Sequence, residues 1–224
     1  MTTTLTRFNQ TRTGYTKRDE HEIAHGERGA DEINLLIQDF KASKRPAKAL
    51  SFGIYEDGEM SGATWRKSSA IILDYRIDAR DIVGEVAHIA AAARKLQVGF
   101  WLLSCQERTG QTTLAIIIPL HEAVSRERYG RLVYVLLEEM KAHGCRRFTA
   151  KGTSAMTHQV HLHANSECAW VNGPALNASP KIKATKHAAQ DMDRDRFTIG
   201  AQAAVAQLEK PTLTACDSGL FEGL

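Results

Sequence analysis

The chain has 224 residues, 43% hydrophobic and 25% charged, which is ordinary globular composition and enough to bury one substantial core. Its formal net charge of +3 neither demands nor opposes a polyanionic partner. The longest apolar runs, such as Leu114–Leu120, are too short to cross a membrane, Met1-Thr-Thr-Thr-Leu5 lacks an apolar signal core, and four cysteines without CxxC spacing read as reduced thiols, so a cytoplasmic protein is expected.

Residues 1–30 are polar and carry no sustained apolar period, so they read as a loose N-terminal arm with one short strand at Thr4–Phe8. Within them lies His21-Glu-Ile-Ala-His25, a literal HExxH. On a helix its two histidines would share a face and could bind zinc, with Glu22 as general base. Gly26 and Gly29 follow at once and Arg18-Asp-Glu20 precede it, so the expectation is a solvated arm, with a zinc peptidase using His21, Glu22 and His25 kept as an alternative.

A helix is predicted over Asp31–Ser43, capped by Asp31, with Ile33, Leu36, Ile37 and Phe40 on one face. Ala49–Tyr55 reads as a strand, Glu56-Asp-Gly58 as a turn and Gly58–Ser69 as a loop. In that loop Trp65 beside Arg66 and Lys67 either stacks on bases or covers an edge of the core, the latter being preferred. The β-branched run Ala70–Arg76 is the central strand and delivers Asp74 to an edge of the sheet. An amphipathic helix follows Asp81, with Ile82, Val86, Ile89, Ala93 and Leu96 at helical spacing. Val98–Ser104 and Thr112–Leu120 form a hairpin across Glu107-Arg-Thr-Gly110. Ser125 caps a helix over Arg126–His143, and Gly144 ends it. Gln159–His163 reads as a strand and Glu167–Val171 as another. The remainder, 176–224, is a basic and polar tail with a short helix at Ile199–Leu208.

From Ala70 onward the order is β-α-β-β-α-β. The expected class is α+β, a ferredoxin-like or RRM-like split βαβ core with an N-terminal α/β extension. The expected organisation is an arm at 1–30, one domain at 31–175 and the tail at 176–224.

The run from about Ala49 to Trp170 resembles the catalytic module of archaeo-eukaryotic-type primases, the primase-polymerases of plasmids, phages and other mobile elements. The resemblance rests on Leu73-Asp-Tyr-Arg76 at the end of the first strand and Leu103-Ser-Cys-Gln106 at the end of the second. Ile118-Pro-Leu120 and then Glu127-Arg-Tyr129 follow at the next strand end and helix opening. The family needs two or three carboxylates converging on divalent cations, which neutralise triphosphate charge. Here Arg76 stands in place of the second Asp, Gln106 in place of a phosphate-contacting His, and no Asp occupies the third region, Phe148–His163. Arg76 is also positioned to pair with Asp74.

The expectation that follows is a non-catalytic or weakly active primase-like protein of a mobile element. It would bind single-stranded DNA or RNA, or a replication partner, through the open face of the RRM-like sheet. Asp74 is the candidate catalytic residue. Arg76, Arg108, Arg146, Arg147 and Lys151 are the candidate phosphate contacts, and Phe100 or Trp101, Trp101 in particular, is the candidate base-stacking residue. No cofactor is expected, with magnesium or manganese only if displaced carboxylates support an active primase or nucleotidyltransferase. His161 and His163, two apart on a strand, are further metal candidates, read first as sheet-face histidines.

Overall fold

The computed structural model describes residues 1–10, 15–42, 49–56, 60, 64–77, 82–106, 112–148, 159–162 and 166–178. The expected helix at Ile199–Leu208 and almost all of the 176–224 tail lie outside them. The described elements are β1 (Thr2–Gln10), β2 (Tyr15–Ala24), α1 (Glu27–Ala42), β3 (Ala49–Ser51), β4 (Gly53–Tyr55), β5 (Trp65–Arg76), α2 (Ile82–Leu96), β6 (Phe100–Gln106), β7 (Thr112–Ser125), α3 (Arg126–Ala142), β8 (Gln159–His161) and β9 (Cys168–Val171). No described helix is long and apolar enough to cross a membrane.

Two sheets result, one in the order β2-β1-β3-β8 and the other β4-β5-β7-β6-β9. In the larger sheet both β5 and β6 run antiparallel to β7 and therefore parallel to each other. With α2 connecting them across β7, this is a split βαβ unit. Period-two alternation sorts the side chains of β5 cleanly. Ile71, Leu73 and Tyr75 pack under α2 and α3 with Phe100, Leu102, Leu114 and Ile116. Ala70 and Ile72 face the other way, with Trp101, Leu103, Ala115 and Ile117.

That second face is not open. Leu5 and Ile23 from the β1–β2 hairpin, Ile33 and Ile37 from α1, and Leu50 and Val160 from β3 and β8 close over it. Most of the residues expected to form a loose arm are thus a nine-rung antiparallel hairpin covering the core. Composition misled here because Leu5, Phe8 and Ile23 are few. They are nonetheless buried to 2% exposure or less, and the threonines between them are β-branched residues that suit a strand. Arg7 stitches the layer together: its guanidinium pairs with Asp19 of β2 at 2.5 Å and with Asp39 of α1.

Several boundaries also move. The segment expected as one strand at Ala49–Tyr55 is two, because the chain passes from one sheet to the other at Phe52, which is fully buried. The expected Gly58–Ser69 loop gives way at Trp65 to the start of β5, and α1 begins at Glu27 rather than at Asp31. Trp65 is 3% exposed, meets Tyr129 edge-to-face at 5.4 Å and carries Arg126 over its ring, so it is a core residue. The end of α3 behaves as expected: Gly144 has φ of 97°, its N–H donates to Lys141 O, and Cys145 N–H reaches back to Met140 O, a Schellman closure.

A ferredoxin-like arrangement would place the strand after α3 beside β5, and among the described residues neither β8 nor β9 takes that place. Among the described residues a single antiparallel bridge, Tyr75 with Phe148, forms there, and β4 pairs with the earlier part of that edge. The chain then adds β8 to the smaller sheet and returns as β9 on the far side of β6. Three contacts hold β9 in that place. Trp170 packs on Trp101 with ring centroids 5.5 Å apart. Asn34 of α1 clamps Cys168, accepting from its N–H and donating to its carbonyl, both at 2.8 Å. Gly99 and Gly173 meet backbone to backbone, so closely that a Cβ on Gly99 would lie 2.2 Å from Gly173 O.

Candidate functional site

Asp74 and Arg76 lie two residues apart near the end of β5 and share the face turned toward the smaller sheet. Asp74 stands opposite Ala115, which stands opposite Leu103. Arg76 stands opposite Thr113, which stands opposite Cys105. The carboxylate thus has apolar neighbours along its row, and the guanidinium occupies the next row outward. Both residues are half-buried. The Nε of Arg76 is buried and has no hydrogen-bond partner among the described residues.

The outer edge of β5 is capped at this end. Ile72 N–H donates to the hydroxyl of Tyr129 at 3.2 Å, and Arg76 N–H donates to Arg147 O at 2.9 Å. These contacts satisfy backbone groups that β4 is too short to reach. Burial, and then the nearby charge of Asp74, raise the Tyr129 phenol above its ordinary value, so it is a neutral hydroxyl at this edge.

The segment after α3 is anchored by a small buried knot that the sequence reading did not find. Glu85 of α2, its side chain 13% exposed, accepts from the Tyr75 hydroxyl and pairs with Arg147 Nε at 2.9 Å. Phe148 packs edge-to-face on Tyr75 at 5.1 Å. Burial and the Glu85 charge push the neighbouring Cys145 thiol up to about 11, so it is a neutral packing group. The available signal was the odd parity of Tyr75, which places it under α2 with its hydroxyl in need of an acceptor.

Of the candidate phosphate contacts, Arg76 and Arg147 are joined through the backbone and Arg146 is exposed beside them. The guanidinium of Arg147 is directed to Glu85. Arg108 and Lys151 lie outside the described residues.

The base-stacking assignment is corrected. Trp101 is fully buried; its Nε1 donates to Gly26 O at 3.2 Å, and Phe52 stacks on it at 6.1 Å with the planes 16° apart. Phe100 is buried on the opposite face. Neither residue is presented to solvent, because both faces of the sheet are covered.

The HExxH reading is corrected as well. His21 and Glu22 sit on strand β2 and point to opposite faces, and His25 follows in the bend before α1. Each has its own partner: His21 with Asp19 at 3.1 Å, Glu22 with the Thr4 hydroxyl at 2.8 Å, and His25 with the Thr3 hydroxyl at 2.6 Å. A zinc peptidase needs both histidines on one face of a helix, which this backbone does not provide. Among the described residues no group of three or more His, Cys, Asp or Glu side chains is placed to hold a metal ion. His161 lies on β8 and His163 lies outside the described residues.

His25 carries a pH prediction. Burial, and then the charge of the N-terminus, lower its pKa below the ordinary 6.5. The unfolded chain therefore binds more protons than the folded one between that lowered value and 6.5. The contribution is fully present above about 6.5 and is lost as pH falls from there through the folded-state value. In urea denaturation across this window, His25→Gln should show a shallower loss of stability on acidification than the parent.

No family model matches the chain, and no curated protein matches it. Among solved structures, the AEP domain of the cyanophage S-2L primase-polymerase is similar to it, at 16% identity. The alignment covers 81% of this chain and 88% of that one, with a TM-score of 0.43. At that identity and score no residue role passes from one chain to the other.

Proposed function

We propose that this chain is a primase-like protein that binds phosphate at the end of β5, on single-stranded nucleic acid or on a nucleotide, without metal-dependent polymerisation. The observation that carries the reading is the buried Nε of Arg76, without a partner among the described residues and on the same face as Asp74. A buried donor left unsatisfied costs about 1–3 kcal/mol, which a bound anion would recover. The resemblance of the strand ends to primase motifs supplies the ligand class.

The described residues at the end of β5 do not fit the metal chemistry of that family. A pair of carboxylates would hold divalent cations against triphosphate oxygens. Here one carboxylate shares its face with a guanidinium, which opposes a cation and attracts a phosphate. Asp74 then orients or limits the anion rather than ligating metal. Arg146, exposed next to the Arg76–Arg147 backbone contact, extends positive charge along the same edge.

The test is calorimetric titration with deoxythymidine oligonucleotide and with nucleoside triphosphate, each with and without magnesium or manganese. The expected result is metal-independent binding that weakens about tenfold or more in Arg76→Gln, since a charge-assisted contact is worth about 1.5–3 kcal/mol. Binding that requires the metal and disappears in Asp74→Ala would overturn the reading in favour of an active nucleotidyltransferase.

A further inference from the structure

The outer edge of β2 and the flank of α1 form a groove of about 430 Å3. Its apolar wall is Ile23, Leu35 and Leu36, and its acidic rim is Glu20, Glu22 and Glu32. Leu35 is 62% exposed, one of the few large apolar side chains that the described surface presents to water. β2 is ten residues long and, among the described residues, pairs with β1 alone.

The direction of the edge groups follows from one contact. Ala24 N–H donates to the Glu32 carboxylate at 3.1 Å, so it points away from β1. In an antiparallel pair the backbone groups alternate in direction, so the N–H and C=O of Glu22 and Glu20 point the same way, into the groove. Met60 N–H donates to Tyr15 O at the far end of β2, but the Glu20–Glu22 stretch joins no further ladder among the described residues. Such an edge beside a helix with an exposed leucine is the layout that receives an extended peptide: main-chain bonds supply affinity, and alternate side chains find the helix flank.

Charge selects the occupant. The rim carries three carboxylates, while Lys17 and Arg28, the cations paired with Glu20 and Glu32, are on exposed chains in surface pairs that yield readily. A second copy of β2 paired antiparallel about His21 would set Glu20 against Glu22 on both sides, and like charges directly opposite are destabilising. We infer that this groove binds an extended, cationic segment of a partner protein by adding it as a strand to β2, with an aliphatic side chain of that segment against Leu35. The inference is independent of the phosphate site, which lies at the end of β5 in the other sheet.

The experiment is fluorescence anisotropy with a labelled short peptide of alternating lysine and valine. Three comparisons accompany it: the same peptide N-methylated at alternate amides, a version with glutamate for lysine, and Leu35→Lys and Glu22→Lys proteins. Binding of the lysine–valine peptide is expected, with a loss of about tenfold or more on N-methylation, in Leu35→Lys and in Glu22→Lys, and none by the glutamate peptide. Equal binding of the N-methylated peptide would reduce the interaction to bulk charge and overturn strand addition. So would absence of binding, or a dimer by sedimentation that Leu35→Lys dissolves, which would assign the edge to a second copy.

Discussion

Trp101→Ala is expected to destabilise the protein by about 3–5 kcal/mol, the usual cost of removing a large buried aromatic side chain. Small domains have about 5–15 kcal/mol in total, so much of the margin goes. The size of the effect follows from what the indole holds together. It touches Phe52 where the chain crosses between sheets, His25 at the entry to α1 and Trp170 on β9. It also donates to Gly26 O. Its removal opens a cavity at the junction of the hairpin layer and the larger sheet. Urea denaturation should show a lower midpoint. A solvent-facing, base-stacking tryptophan would behave in the opposite way, losing nucleic-acid affinity at unchanged stability. That outcome would overturn the covered-sheet arrangement.

Glu85→Ala is expected to cost about 1.5–3 kcal/mol, because it removes a charged acceptor from a buried phenol. Tyr75 is 1% exposed, so its hydroxyl would be left without its partner away from water. Arg147 is half-exposed and can turn to solvent, so it contributes the smaller share. The double variant Tyr75→Phe with Glu85→Leu removes both members of the buried bond and should recover part of the loss. The single variant also frees the 145–148 segment from α2. That segment supplies the carbonyl bound to Arg76 N–H, so phosphate binding should weaken along with stability in Glu85→Ala. Unchanged binding would mean that the edge of β5 holds its shape without the knot.

The split βαβ unit was legible because each of its parts is strongly periodic. Ile82, Val86, Ile89 and Ala93 mark α2, Tyr129, Leu132, Val133 and Leu136 mark α3, and Ala70–Leu73 is apolar on both faces. That last feature already held the correction to the open-face expectation. Ala70, Ile72, Trp101, Leu103, Ala115 and Ile117 are all apolar on the face expected to meet nucleic acid. A sheet apolar on both faces must be covered on both. The cover was hard to recognise because the β1–β2 hairpin is rich in threonine and charge, and only Leu5, Phe8 and Ile23 betray its inner side.

The site was legible only in part. Asp74 and Arg76 could be placed on one face from strand alternation, and that is how they stand. The role of Arg147 could not be read, because its partner Glu85 lies 62 residues away on another element. The HExxH failed for a related reason. Five residues suit a helix or a strand equally, and pairing with β1 made the choice.

The sequence by itself determined the order of helices and strands from β5 to α3 and the apolar residues on both faces of the larger sheet, since both follow from local periodicity and residue type. It also determined that Arg76 follows Asp74 at the strand end. Only the tertiary structure decided which edge each strand takes. β9 lies beside β6 rather than β5 because Trp170 meets Trp101, Gly99 meets Gly173, and Asn34 clamps Cys168. Those contacts join residues far apart in the chain, and no local pattern encodes which distant neighbour a buried side chain will meet.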